Sequence, residues 1–341
     1  MKFSICIPNY NYEKYLGETI RSVLAQEAEL EILVSDNAST DRSVEIVNGF
    51  ADPRIKVRIN QANVGFAGNL DRAARMASGD IINMLSSDDL MRPSALKTYA
   101  GLFEKIENDA IVTSSVDIID PKSERTGAIG PDASLWTNAD LVEGLPVHGA
   151  RVYRVEAGEL LRRCLVSQRN PFNFLATAYP RALYERVEGY GGGRTINPDK
   201  WFHWRLLGAA SHAYYVDAPL FAYRWHPSNQ TALQKASGAL KYLVDDYVSS
   251  FEVDAKLLER AGLTREQVER AFVEHDIARH GLATLAKGEA DRARRILFFG
   301  LSAYPAHARR NWKLWALGGL AVLPGGAQVA KLMYARRKRD R

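Results

Sequence analysis

The sequence predicts an α/β protein: a mainly parallel sheet sandwiched by helices, with a helical extension toward the C-terminus. Three observations carry this. Short apolar runs alternate with helix-period segments over about the first 120 residues, the pattern that builds strand–helix–strand units. Polar clusters follow the apolar runs: Pro8-Asn9-Tyr10-Asn11, Asp36-Asn37, Asn63-Val64-Gly65 and Asp88-Asp89. From about residue 236 the pattern turns helical and stays so.

The elements are justified in chain order. Residues 2–7 form a short, mostly apolar run and predict a strand. Residues 13–25 predict a helix, with Leu16, Ile20, Val23 and Leu24 along one face. Residues 31–34 form a second apolar run, closed by Ser35-Asp36-Asn37. A helix over 41–50 follows, with Ser39 or Thr40 as its cap. Residues 55–59 alternate as a strand. Residues 66–77 are helical, with Ala67, Leu70, Ala74 and Ala77 at suitable spacing. A strand over 80–85, a helix over 94–106 and a strand over 110–119 complete the series. In parallel sheets ligands lie outside the carboxyl ends of the strands, so the four polar loops are expected to converge on one rim.

The middle, 121 to about 230, is aromatic and glycine-rich. GYGGGRTINPDKW reads as a loop leading into a helix that starts near Asp199, and 213–216 and 220–224 read as strands. Packed helices are expected beyond it.

The chain has 341 residues, 46% apolar and 25% charged, which suits a soluble globular protein with a sizeable core. Its two cysteines, Cys6 and Cys164, exclude a disulfide framework and favour a reducing compartment. The opening MKFSICIP is too short an apolar run for a signal peptide. Net charge is +5, concentrated at the end: KLMYARRKRDR holds six basic side chains and one acid. The body is near neutral, which argues against nucleic acid as a partner. Residues 314–323 are apolar but too few to span a bilayer. With Trp312, Trp315 and the basic cluster they suit a segment lying on an anionic membrane surface. The alternative is a terminal helix packed on the body, with a solvated tail.

The stretch DIINMLSSDDLMRP ends an apolar run in two adjacent carboxylates, Asp88 and Asp89. Such a pair is costly at a buried strand end unless something positive sits against it. A divalent cation fits, and hard carboxylate oxygens select Mg²⁺ or Mn²⁺. The alternative is one aspartate capping the next helix and the other facing water. Asp36 can accept an N–H from a flat heterocycle or serve turn chemistry. Asp41 is expected to support a helical first turn.

ICIPNYNYEKYLGETIRSVLAQ, ILVSDNASTD, NVGFAGNLDRA and SGDIINMLSSDDLMRP, in this order and spacing, resemble a family 2 glycosyltransferase of the GT-A fold. The likeness covers about the first 120 residues and continues more loosely to Thr231. It implies an inverting transferase using a nucleotide-diphosphate sugar, above all a UDP-sugar, and Mg²⁺ or Mn²⁺. Pro8, Asn9 and Tyr10 fall in the loop that lines the nucleotide pocket. Asp36 falls on the carboxylate that binds the base. Asn63 and Gly65 fall in the Asn-x-Gly turn, and Arg72 on the following helix, where a basic residue faces phosphate. Asp88 and Asp89 fall on the acidic metal motif, commonly Asp-Ser-Asp-Asp, with Asp88 also assigned to the nucleotide-sugar. Ser86 replaces the motif's first acid.

NPDKWFHWRLL resembles the family's Glu-Asp-Trp-x-x-Trp-x-Arg helix. Asp199 falls on the general base and Arg205 on the helical arginine. Pro198 replaces the glutamate, and Lys200 and His203 replace tryptophans. Pro-Asp is also an ordinary helix start. YRWHPSNQT resembles a third family segment, which makes His226 a metal or diphosphate ligand; a surface histidine beside a proline is the alternative.

The implied organisation is a transferase domain over 1–231, divided into a nucleotide-sugar and metal half (1–120) and an acceptor half (121–231). A helical region (232–310) and the tail (311–341) follow. The acceptor class is a saccharide or lipid-linked hydroxyl, as in surface polysaccharide or glycolipid synthesis, and the expected place is the cytoplasm, at the inner face of the cell membrane. Two rivals stand: a non-catalytic nucleotide-sugar-binding scaffold, and a metal-dependent nucleotidyltransferase. The first loop, PNYNYEKY, lacks the glycines a nucleotidyltransferase brings there.

Overall fold

The computed structural model describes residues 1–147, 149–191, 198–229 and 239–339, with backbone alone for 239–242 and 337–339. Residues 192–197 of the expected loop before Asp199 lie outside the described residues, as does the expected boundary at 231. The chain divides into two compact units. One comprises Met1–Arg163 and Asn170–Pro227, the other Cys164–Arg169 and Ser228–Arg341.

The first unit is a sheet with helices. Its first half runs β1 (Phe3–Asn9), α1 (Glu13–Leu24), β2 (Leu30–Asp36), α2 (Ser43–Asn48), β3 (Ile55–Ile59), α3 (Gly65–Ala74) and β4 (Ile81–Met84). β5 (Leu90–Met91), α4 (Ala95–Phe103) and β6 (Ile111–Ile119) follow. β2 and β4 are buried along their whole length, as expected of strands covered on both faces. Ile5, Ile7, Ile32 and Val34 share one core cluster with Leu16, Ile20 and Val23 of α1.

The middle segment supplies β7 (Arg125–Ile129), β8 (Leu141–Val142), β9 (Arg151–Glu156), α5 (Ala157–Ser167), β10 (Ala178–Pro180), α6 (Arg181–Arg186), α7 (Pro198–Ala209) and β11 (His212–Arg224). The strand order is β3-β2-β1-β4-β10-β6-β11-β9-β8, with β5 on β11 and β7 on β6. Pairing is parallel among β3, β2, β1 and β4 and between β6 and β11. The other pairs are antiparallel.

The parallel half matches the sequence reading to within a few residues at element ends. Two details differ. The two strands expected over 213–224 are one, β11, with register shifts at Val216/Pro219 and Pro219/Phe221. Neither Ser39 nor Thr40 caps α2, which begins after Arg42 without a side-chain cap. Ser39 instead bonds Asp36, and Asp41 lies before the helix. The carboxylate of Asp41 accepts from Ser43 N at 3.0 Å and from Glu13 N at 2.8 Å, so one residue satisfies donors at the starts of both α2 and α1.

Glu31 on β2 tests how the sheet's far end is held. Its carboxylate is buried and accepts from Ser4 Oγ (2.7 Å), Ser78 N (2.7 Å), Lys2 Nζ (3.1 Å) and Lys56 Nζ (2.9 Å). Burial pushes its pKa up, but the bonds from Ser4, Ser78 and Lys56 outweigh burial and hold it well below the usual carboxylate range. A lowered folded pKa stabilises the fold above the unfolded glutamate pKa of about 4.3 and loses that contribution as pH falls through the folded value. Glu31→Gln should therefore cost about 1–3 kcal/mol at pH 7 in urea unfolding. The gap to the parent should narrow at pH 3; an equal gap at both pH values contradicts this account.

The second unit is helical. It contains α8 (Ala239–Phe251), α9 (Ala255–Ala261), α10 (Arg265–Ala271), a π-helical turn (Phe272–Ile277), α11 (Ala278–Ala286), α12 (Ala290–Ala303), α13 (Pro305–Arg310), α14 (Trp312–Leu320) and α15 (Gly326–Arg339). Phe272, Ile277, Leu285, Ile296, Leu314, Leu317 and Ala330 belong to one core cluster. The segment 311–341, read from sequence as a separate tail, thus contributes apolar side chains to the same core as 239–310. No helix among the described residues is long and apolar enough to cross a membrane.

Candidate active site

Four strand-end loops do meet at one rim, and asparagines tie them together. Asn9, last residue of β1, donates to Asp36 Oδ1 at 2.8 Å, and Asn9 Oδ1 is buried with no hydrogen-bond partner among the described residues. Asn37 donates to Asn63 Oδ1 at 2.8 Å and accepts from Val64 N at 2.9 Å. Gly65 N donates to the same Asn63 oxygen at 2.8 Å. Gly65 has φ +78, which a residue with a Cβ adopts only under strain. Asn69 on α3 accepts from Ser35 Oγ and Asn60 Nδ2, and donates to Ser35 O and Asn9 O. Ser87 Oγ donates to Pro8 O at 3.0 Å, joining the β4 loop to β1. Backbone polar groups that strand ends leave unpaired are thereby satisfied by side chains.

Within this frame Asp36 is almost fully buried. Its oxygens accept from Asn9 Nδ2, Ser39 Oγ (2.6 Å) and Ser39 N (2.9 Å). A carboxylate offers about four lone-pair sites, which leaves one on Oδ2. Tyr10 is exposed at the lip. Arg72 is half-buried on α3 and makes no hydrogen bond or ion pair with the described residues.

The two adjacent aspartates take different hydrogen-bond partners. Asp88 Oδ2 lies 3.0 Å from His226 Nε2, and both residues are buried. Asp89 turns the other way: its Oδ1 accepts from Arg224 N at 2.8 Å, and the Ser86 hydroxyl also bonds it. Burial first, then the charge of Asp88, pushes the Asp89 carboxyl well above the usual range. The two aspartates and His226, expected together as metal ligands, are therefore not one ligand group in this structure. Asp88 and His226 meet, and Asp89 faces the backbone of β11.

The positive group against the pair is Arg224, which the sequence reading did not single out. Its guanidinium is fully buried. It donates to Asp88 O (2.7 Å), Asp120 O (3.2 Å), Ser123 Oγ (2.9 Å) and Glu18 Oε2 (2.8 Å), and lies over the Tyr15 ring at 4.8 Å. Tyr15 packs against His226 with ring centroids 4.9 Å apart. Burial, then the charges of Asp88 and Asp89, push the Tyr12 hydroxyl up, so it stays protonated.

The described residues hold one group of three His and Asp ligating atoms within 4.8 Å of one another: Asp246, Asp276 and His280. It lies in the helical unit, not at the strand ends, and Asp276 is ion-paired to Arg279 at 2.7 Å.

Asp199 sits in the first turn of α7, half-buried, and accepts from Asn170 Nδ2 at 3.0 Å. Arg205 serves the fold: it donates to Val187 O (2.6 Å) and Gly189 O (2.7 Å) and stacks near Trp201. Lys200 lies over the Trp204 ring at 4.8 Å.

The description of Glycosyl transferase family 2 matches residues 4–160. An uncharacterized glycosyltransferase of Nostoc sp. is 37% identical over 125 residues, 35% of this chain and 38% of that protein. The Escherichia coli UDP-Glc:alpha-D-GlcNAc-diphosphoundecaprenol beta-1,3-glucosyltransferase WfgD is 36% identical over 121 residues, 35% of this chain and 47% of that protein. The chain thus spans less than half the length of either relative. The crystal structure of Staphylococcus aureus TarS 1–349 in complex with UDP-GlcNAc superposes with a TM-score of 0.65 at 18% identity, over 98% of this chain and 90% of that one. The shared architecture is the GT-A fold with a helical C-terminal region.

Proposed function

Residues 4–160 belong to glycosyl transferase family 2, and on that premise we propose that the protein is an inverting glycosyltransferase. It moves a sugar from a nucleotide-diphosphate sugar, a UDP-sugar first among them, to a hydroxyl of a saccharide or lipid-linked acceptor. The observation that carries this reading is the rim itself, where Asp36 and Asp88 stand buried within loops that asparagines and Ser87 lock in place.

In this reading Pro8, Asn9 and Tyr10 line the nucleotide pocket, and Asp36 offers its remaining lone pair to the base. Asn63 and Gly65 shape the turn before α3, and Arg72 faces phosphate. Asp88 and His226, 3.0 Å apart in a buried place, are the residues that would hold a divalent cation: the carboxylate oxygen suits Mg²⁺ or Mn²⁺, and the imidazole nitrogen favours the softer Mn²⁺ of the two. A cation held by these two residues would supply charge neutralisation to the diphosphate. Asp89, satisfied by Arg224 N and Ser86, acts by holding the loop. Asp199 takes the proton from the acceptor hydroxyl. The new bond joins that oxygen to the anomeric carbon, the bond to the diphosphate breaks, and the nucleotide leaves with its electron pair. A single displacement inverts the anomeric centre, and no side-chain nucleophile is required.

The test is release of nucleoside diphosphate from a panel of UDP-, GDP- and dTDP-sugars, with and without Mg²⁺ or Mn²⁺. Turnover of one donor is the expected result. Tight binding of a donor with no turnover against any saccharide or lipid-linked acceptor favours the scaffold reading.

A membrane surface is the proposed setting, at the cytoplasmic face. Trp312 (71%), Trp315 (60%), Leu323 (61%) and Leu332 (73%) are exposed on α14, α15 and the turn between them, beside exposed Arg309, Arg310, Lys331 and Arg336. Apolar side chains flanked by basic ones suit anionic headgroups. Trp312→Ser with Trp315→Ser, both solvent-facing, should lower binding to vesicles containing phosphatidylglycerol by roughly tenfold or more without unfolding the chain. Unchanged binding contradicts this placement.

A further inference from the structure

Asp199 and His203 stand one turn apart on α7, so their side chains share a face. Asn170 bridges them. Its Nδ2 donates to Asp199 Oδ2 at 3.0 Å, and its Oδ1 lies 2.8 Å from His203 Nδ1. Phe172 N also donates to Asn170 Oδ1 at 3.3 Å, which independently marks that atom as the acceptor. An ionised carboxylate only accepts, so the amide NH₂ must face Asp199 and the amide oxygen must face the ring. An oxygen opposite Nδ1 requires the proton on Nδ1. The tautomer of His203 is thereby fixed by its neighbours.

The ring is held for this role. His203 is 1% exposed, and Phe172 meets it edge-on with centroids 5.2 Å apart. Burial alone pushes its pKa down to about 3, so it is neutral at physiological pH and keeps one N–H and one lone pair. The ring N–H, together with the longer bond from Phe172 N, holds the amide oxygen away from Asp199.

We propose that His203 and Asn170 form a positioning relay for Asp199: the imidazole N–H fixes the amide, and the amide NH₂ orients the carboxylate. The relay deepens the reading of Asp199 as general base and rests on it. A bond donated to a carboxylate favours its charged form, which a base must have before it accepts a proton. A base oriented by a further group is the general arrangement for activating a hydroxyl. Asn170 and His203 act through Asp199, so both are positioning residues.

Two measurements test the relay. The first needs no substrate: imidazole ¹⁵N spectra of the full chain, with His203 assigned by loss of its signal in His203→Gln. The relay predicts the neutral Nδ1–H tautomer in the parent chain and its redistribution in Asn170→Ala. A dominant Nε2–H tautomer in the parent overturns it. The second is turnover of a UDP-sugar from the donor panel. Asn170→Ala and His203→Phe should lower kcat by about 10- to 100-fold, as expected for one hydrogen bond to a charged group, with the donor KM unchanged. His203→Gln, whose amide N–H can still donate to Asn170, should recover most of the loss. If Asp199→Asn abolishes turnover while Asn170→Ala leaves kcat unchanged, the relay is wrong and the base stands. If Asp199→Asn is itself fully active, the base assignment fails first. Should the buried His203→Phe not fold, the half-buried Asn170→Ala decides.

Discussion

Asp199→Asn should reduce kcat by about 10²- to 10⁴-fold, the range over which a positioned general base contributes, and leave nucleotide affinity unchanged. The substitution is nearly isosteric. The new amide oxygen can still accept from Asn170 Nδ2, so the 3.0 Å contact and the first turn of α7 are retained. What is lost is the capacity to take a proton from the acceptor hydroxyl. The two effects separate cleanly: single-turnover transfer reports the chemistry, and titration with UDP reports the pocket. Transfer at the parent rate removes Asp199 from the mechanism. Loss of UDP binding in step with loss of transfer makes it a residue of the fold instead.

Asp88→Asn should abolish metal activation and lower turnover by on the order of 10²- to 10³-fold, the cost of losing one group that stabilises charge on the leaving oxygens. Asp89→Asn should not. The geometry separates the neighbours. Asp88 meets His226 at 3.0 Å, whereas Asp89 Oδ1 accepts from Arg224 N at 2.8 Å. The substitution leaves that backbone bond available to an amide oxygen and puts a neutral group beside Asp88, where burial already disfavours a second charge. Asp89→Asn should therefore keep the parent's dependence on added Mn²⁺. The measurement is the Mn²⁺ concentration giving half-maximal turnover in each variant. Loss of metal activation in Asp89→Asn, with retention in Asp88→Asn, reverses the assignment.

The parallel half of the sheet was readable because strands buried on both faces leave continuous apolar runs and their loops end in turn residues. β1, β2 and β4 are of this kind. β5 and β8 have two residues each and β10 has three. Strands so short have no period to detect; they exist because β11, β9, β6 and β4 offer partners for them. The candidate site was legible to the same depth. Asp36, Asp88, Asp199 and His226 are residue types with few apolar uses, placed after strands or at a helix start. The direction in which each points was not legible. Two adjacent aspartates look alike in a sequence, and only the register of β11 decides which one meets a backbone amide. Arg224 stands two residues before His226 in YRWHPSNQT, but its target, the carbonyl of Asp88, is 136 residues away. Asn170 carries no signal of its own, because its partners lie on a helix that begins 28 residues later. The asparagines that lock the rim, Asn37, Asn60 and Asn69, read singly as turn or helix-surface residues.

The central claim is that the strand-end rim holds a nucleotide diphosphate with its phosphates at Asp88. Crystals soaked with UDP and Mn²⁺ test it most directly, since the anomalous signal of manganese locates the ion without reference to the protein. The account predicts one strong anomalous peak bonded to Asp88 and His226, with the diphosphate on it and the base beside Asp36. A nucleotide elsewhere on the chain, or a manganese peak at Asp246, Asp276 and His280 with none at Asp88, would contradict it.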